Sequence, residues 1–137
     1  MNEQENTKLA AKTYELFTSG DIEALLNLYS DDISWELPFV EGTPFGGKLK
    51  GRDEVANFFG VLAENEENLT FEPTEFIARG DKVVVLGNFT WRVKSTNRQY
   101  ASDFAHVVTV KDGKISRFVE YMDTVARNNA YVAAQSA

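Results

Sequence analysis

The sequence predicts an α+β domain shaped like a cone, with a strongly curved antiparallel sheet wrapped around three helices from the N-terminal half. Three observations lead there. Apolar residues recur at helical spacing in three early segments; they alternate in four later runs bounded by turn residues; and 137 residues suffice for one hydrophobic core but not comfortably for two.

In the first segment Ala10, Thr13, Tyr14 and Phe17 stand at i, i+3, i+4 and i+7. Ile22, Leu25, Leu26 and Tyr29 repeat that spacing, as do Val55, Phe58, Phe59 and Leu62, so each helix has one apolar face. Gly20 suits the stop of the first helix, Asp21 the cap of the second and Asp53 the cap of the third. The first two helices form a hairpin. Ile33 to Leu37 reads as a short strand, and Pro38 to Gly51 as a rim loop carrying Phe39 and Phe45. The loop's Gly42, Gly46, Gly47 and Gly51 match neither phosphate-loop nor dinucleotide-binding spacing.

Strands follow over Leu69 to Ala78, Lys82 to Val93, Gln99 to Val110 and Lys114 to Met122. The turn signals between them are Arg79-Gly80-Asp81, Ser95-Thr96-Asn97 and Lys111-Asp112-Gly113. This is a meander. With the helices gathered on one of its faces the sheet must bend to bury them, and a bent sheet over helices encloses a cavity. Thr124 to Ala137 is either a short helix or a frayed tail, and residues 1–137 form a single domain.

Composition narrows the partners. Lys+Arg total 14 against Asp+Glu 21, a formal charge of -7, and the cations are scattered. Phosphate-backbone binding needs clustered cations, so nucleic acid and anionic membranes are not expected partners. The run Glu64-Asn65-Glu66-Glu67-Asn68 reads as a solvated helix end and loop. There are no cysteines and one histidine, which leaves no disulfide, thiolate or His-cluster metal site; no metal or cofactor is expected. Met1 to Lys8 is polar, without the apolar core of a secretory signal, and no apolar run is long enough to span a bilayer. The expectation is a soluble, cytoplasmic protein.

The last strand offers a candidate site. Side chains alternate faces, so Phe118, Glu120 and Met122 point one way and Arg117, Val119 and Tyr121 the other. Glu120 is then the one acid on an apolar face. If that face is concave, burial raises the carboxyl toward neutrality, as a general acid or base requires. The structural alternative is a surface glutamate at a strand end, or one held in an ion pair with Arg92 or Arg117. On the preceding strand Asp103 and His106 have opposite parity, and only one shares the cavity with Glu120 unless a bulge intervenes. Both stay open as partners, although a lone histidine on an apolar strand face is more often core. Tyr14 can donate a hydrogen bond inward. Trp35, Phe39, Phe45, Phe59, Phe89, Trp91, Phe118 and Met122 complete the candidate ligand wall, although core packing alone explains most of them.

Gly20-Asp21-Ile22, Leu28-Tyr29-Ser30-Asp31-Asp32, Trp35-Glu36-Leu37-Pro38 and Gly51-Arg52 resemble the front half of SnoaL-like proteins. Those proteins, with the polyketide cyclases and ketosteroid isomerases, belong to the nuclear transport factor 2-like superfamily. Lys111-Asp112-Gly113-Lys114-Ile115 with Glu120-Tyr121-Met122-Asp123 resembles the family's closing hairpin, so the likeness spans nearly the whole chain. Ketosteroid isomerases carry a proton-shuttling aspartate before the proline resembling Pro38, where this chain has Leu37, and their second acid falls near Ala105. Limonene-epoxide hydrolases use an arginine and an aspartate where Phe89 and Trp91 stand. SnoaL-like cyclases rely on an acid at the last-strand position, so Glu120 is the catalytic residue the resemblance implies.

The expected function is therefore a cofactor-free isomerase, cyclase (lyase) or hydrolase. It performs general acid/base chemistry on a small, mostly apolar, carbonyl-bearing molecule through Glu120, with His106, Asp103 or Tyr14 assisting. The alternative is a non-catalytic ligand-binding or dimerisation domain of the same fold. In either case the apolar convex face of the sheet fits a homodimer.

Overall fold

The structure is a computed structural model that describes residues 2–132. Helix α1 (Glu3–Ser19) starts at Asn2, whose side chain accepts from the Glu5 N–H at 2.8 Å while Glu5 reaches back to the Asn2 N–H. It stops at Gly20, whose φ of 79° is left-handed. Helix α2 (Ile22–Leu26), capped by Asp21, is a turn shorter than its apolar spacing suggests. Tyr29 does not extend it, because strand β1 (Tyr29–Leu37) begins there: the Ile115 N–H donates to the Leu28 carbonyl at 2.9 Å, and the sheet ladder takes the backbone.

The expected rim loop contains a short strand, β2 (Gly47–Lys50), paired antiparallel with β1. Helix α3 (Arg52–Asn65) is preceded by Gly51 rather than capped by Asp53; Asp53 and Glu54 lie in its first turn, where they complement the helix dipole. The meander follows as β3 (Glu66–Arg79), β4 (Lys82–Val93), β5 (Arg98–Lys111) and β6 (Lys114–Met122). The C-terminal stretch forms a short helix, α4 (Thr124–Tyr131), capped by Asp123. Residues 133–137, also part of that expectation, lie outside the described residues.

The strand order is β2-β1-β6-β5-β4-β3. All pairings are antiparallel except β1 with β6, which is parallel because α3 and the meander intervene between them. Register shifts in β3, between Asn68 and Thr70 and between Pro73 and Glu75, add the local twist that curves the sheet around α1 and α3. Alternation follows the buried face. Val83, Val85, Phe89, Trp91 and Val93 of β4 and Tyr100, Phe104, His106, Val108 and Val110 of β5 all point inward, onto Ala10 and Tyr14 of α1 and Val55, Phe58 and Phe59 of α3. Among the described residues no helix is long and apolar enough to cross a membrane.

Candidate active site

Strands β5 and β6 pair so that His106 and Glu120 are direct cross-strand neighbours on the concave face. His106 Nε2 lies 2.9 Å from Glu120 Oε2. On the other side of the ring, Nδ1 lies 2.6 Å from the hydroxyl of Tyr14, which the apolar face of α1 turns inward. Three side chains from three elements thus form one hydrogen-bonded chain. The His106 ring also stacks on Phe104, centroids 4.2 Å apart, so neither nitrogen can easily swing to another partner.

Asp103 is three residues from His106 and has the opposite parity, so it sits exposed on the outer face and has no part in the cavity. Arg117 pairs instead with Glu36 at 3.5 Å, and Arg92 with Glu67 at 3.3 Å, so neither reaches Glu120.

The electrostatics of Glu120 run opposite to expectation. Burial is the largest single influence and pushes its pKa up. The hydrogen bond from His106, with the charges of His106 and Arg127, outweighs burial and holds the carboxyl below its ordinary value of 4.5. Glu120 is therefore a carboxylate, which only accepts, so His106 Nε2 carries a proton and donates it. The Tyr14 hydroxyl stays protonated: burial, then neighbouring Tyr29 and Glu120, raise its pKa well above the ordinary phenol value. With neutral His106, Tyr14 therefore donates to Nδ1.

A cavity of about 70 Å³ adjoins this chain. Tyr14, Trp35, Phe59, Trp91, Phe118, His106 and Glu120 all line it. Trp35 stacks on Phe118 with centroids 3.9 Å apart, and the indole N–H groups of Trp35 and Trp91 are buried without a partner among the described residues. Other members of the expected wall lie elsewhere. Phe39 is 77% exposed, because the loop turns it outward. Phe89 is core, packed between Phe71 and Phe104. Met122 lies one step beyond the His106–Glu120 rung, opposite Phe104 and against the core. Phe45 packs on Phe58 and over the Arg127 guanidinium rather than against the cavity.

The structure adds a second buried cluster. Glu66, the first residue of β3, is 3% exposed and not part of a solvated loop. It accepts hydrogen bonds from the hydroxyls of Tyr100 and Tyr131, the latter at 2.5 Å. Arg127 of α4 donates through Nε to Tyr100 Oη at 2.8 Å, while its Nη1 stands 3.9 Å from Glu120 Oε1. Arg127 also lines the cavity. Strand parity makes Tyr100 legible as an inward residue alongside Phe104 and His106. Nothing in the sequence pairs Glu66 with Arg127, 61 positions away.

A family profile described as a SnoaL-like domain matches residues 10–118. An NTF2-like protein from Burkholderia xenovorans LB400 superposes with a TM-score of 0.87 at 35% identity, over 96% of this chain and 99% of that chain. TerC, co-crystallised with polyporic acid, matches with a TM-score of 0.77 at 30% identity, over 93% of this chain and 98% of that one. A Mesorhizobium loti protein described as a candidate SnoaL-like polyketide cyclase matches with a TM-score of 0.73 over 88% and 99%; at 24% identity it speaks to the fold alone. No curated protein matches the chain.

Proposed function

The chain belongs to the SnoaL-like domain family of NTF2-like fold, and from that premise we propose that it is a cofactor-free enzyme moving a proton on a small, mostly apolar, carbonyl-bearing molecule. The observation that carries this reading is the Tyr14–His106–Glu120 chain at the wall of an aromatic cavity. Both ring nitrogens of His106 are engaged, and Glu120 Oε2 accepts from one of them, which leaves Oε1 with no hydrogen bond to any described residue. Oε1 is thus the basic atom open to a ligand. That TerC, at 30% identity, was co-crystallised with polyporic acid supports a small-molecule occupant for the equivalent space here.

The chemistry follows from those roles. Glu120 Oε1 takes a hydrogen from the carbon beside the substrate carbonyl; the C–H electron pair becomes a C=C bond, and the carbonyl π pair moves to oxygen. Where the substrate carries a C=C bond beside that carbon, the protonated Glu120 then returns the proton to the far end of the dienolate, an isomerisation; otherwise the enolate carbon attacks a second carbonyl in the same molecule and Glu120 gives its proton to the resulting alkoxide, a cyclisation. The His106 N–H holds Oε2 in place and Tyr14 fixes the tautomer. General-base catalysis of this kind contributes about 10²–10⁴ in rate.

The test is exchange of α-hydrogens for deuterium in a panel of small enolisable ketones, followed by proton NMR. The protein is expected to accelerate exchange for at least one member, and Glu120→Gln to lower that rate by about 10²–10⁴ with the fold intact. Binding without turnover, or turnover indifferent to Glu120→Gln, would make the cavity a binding site and remove the catalytic reading.

A further inference from the structure

We propose that Arg127, delivered by the C-terminal helix, is a second catalytic residue, which holds the substrate's carbonyl oxygen as it becomes an enolate oxyanion. The proposal rests on the proton-transfer reading of Glu120 and adds the electrophile that this reading lacks.

Arg127 is 3% exposed, yet neither of its Nη atoms makes a hydrogen bond to a described residue. The nearest charge to Nη1 is Glu120 Oε1, 3.9 Å away, too long for a hydrogen bond. The guanidinium borders the cavity, so donors without a partner among the described residues are available to a ligand there. The group is also immobilised. Nε donates to Tyr100 Oη, the guanidinium lies 5.3 Å from the Phe45 ring centroid and 5.4 Å from that of Tyr100, and Tyr100 is anchored to Glu66.

The spacing suits an enolisable carbonyl. The hydrogen that leaves and the oxygen that gains charge are on adjacent carbon and carbonyl groups, so a base and a donor 3.9 Å apart can address both at once. The charge balance also fits. Proton removal moves one negative charge from Glu120 to the substrate oxygen, and the buried total does not change. Arg127 loses an ionised neighbour at the moment the enolate appears, so its stabilisation is strongest in the transition state. The substrate class narrows accordingly to ketones whose carbonyl oxygen can reach α4, with the α-carbon against β6.

The experiment uses acetylacetone, a small β-diketone whose neutral and enolate forms absorb differently, with fluorescence of Trp35 and Trp91 reporting occupancy. Glu120→Gln stands in for the protonated carboxyl. In that variant the bound diketone is expected to be enriched in enolate at least tenfold over free solution at the same pH. Replacing Arg127 alone risks the fold by stranding Glu66, so the comparison adds Glu66→Gln together with Arg127→Met. Enrichment is expected to vanish in that triple variant. In the Glu66→Gln/Arg127→Met background with native Glu120, kcat for exchange is expected to fall about a hundredfold with KM little changed. Enolate enrichment that survives loss of Arg127, or no enrichment or binding in Glu120→Gln, overturns the assignment. If Glu120→Gln shows Arg127-dependent enrichment while the native protein exchanges no α-hydrogen, the base reading fails and the oxyanion site stands.

Discussion

At the scale of the residue, Glu120 is subject to opposed forces: burial favours the neutral acid, and the His106 N–H with the Arg127 charge favours the anion, which wins. A carboxyl with a folded pKa below its unfolded value adds stability that is present above the unfolded value and lost as pH falls through the folded one. Between the two values it is the unfolded chain that holds the extra proton. Urea unfolding of the native protein and of Glu120→Gln is therefore expected to differ most near neutrality, with the difference shrinking below about pH 4.5. A difference that grows on acidification would mean that the carboxyl is held neutral. Gly87 offers a second prediction. A Cβ there would meet the Glu72 carbonyl oxygen at 2.3 Å and the Phe104 ring at 2.6 Å, so Gly87→Ala is expected to cost about 3 kcal/mol in denaturant unfolding.

Alternation alone groups Glu120 with Phe118 and Met122 on one face and excludes either Asp103 or His106 by parity; that this face is the concave one comes from the structure. Which of the two faces inward was not legible, because it depends on where the β5–β6 hairpin sets its register, including the irregularity between Thr109 and Val110. The direction of the Glu120 shift was illegible for a similar reason. It turns first on His106, whose inward placement is set by that register, and then on Arg127, which reaches the site from a helix the sequence leaves undecided.

At the scale of the element, α4 is the part most tied to function and least supported by its own sequence. It has eight residues, an Asp123 cap bonded to the Ala126 N–H at 3.0 Å, and a bond from Thr96 Oγ1 to the Ala130 carbonyl at 2.6 Å that ties it to the β4–β5 turn. Asp123→Ala is expected to remove about 1 kcal/mol of helix stability. Hydrogen exchange should quicken in α4 amides without change in β4 or β5, and turnover should fall because Arg127 loses its seat. The meander and the three helix faces are legible in periodicity, whereas helical spacing overextends α2 and does not show β2. Both errors have one cause: the ladder that β1 makes with β6 and β2 outranks local helical spacing at Tyr29 and lends strand geometry to Gly47–Lys50.

At the scale of the molecule, the sheet has two unlike faces. Its outer face carries a row of Ile77, Val84, Val107 and Val119, with Leu86, Ala105 and Tyr121 alongside. Ile77 is 50% and Tyr121 60% exposed. We propose that this face pairs with a second copy of the chain. Sedimentation is expected to give a dimer that Tyr121→Glu converts to monomer; a native monomer would leave the face without that role.

The inner face encloses a cavity of about 70 Å³, roughly half the size of an engineered cavity that holds benzene. A ring-sized substrate therefore needs the wall to yield.

The central claim is that an ionised Glu120, held by His106, is the base of the site, and His106 is the only histidine in the chain. Its ring nitrogens can therefore be observed without assignment ambiguity by ¹⁵N NMR of the purified protein near pH 7. A proton is expected on Nε2, with Nδ1 accepting from Tyr14 while the ring is neutral. A bare Nε2 with the proton on Nδ1 would place a proton on Glu120 instead, and a neutral carboxylic acid there would contradict its role as the base.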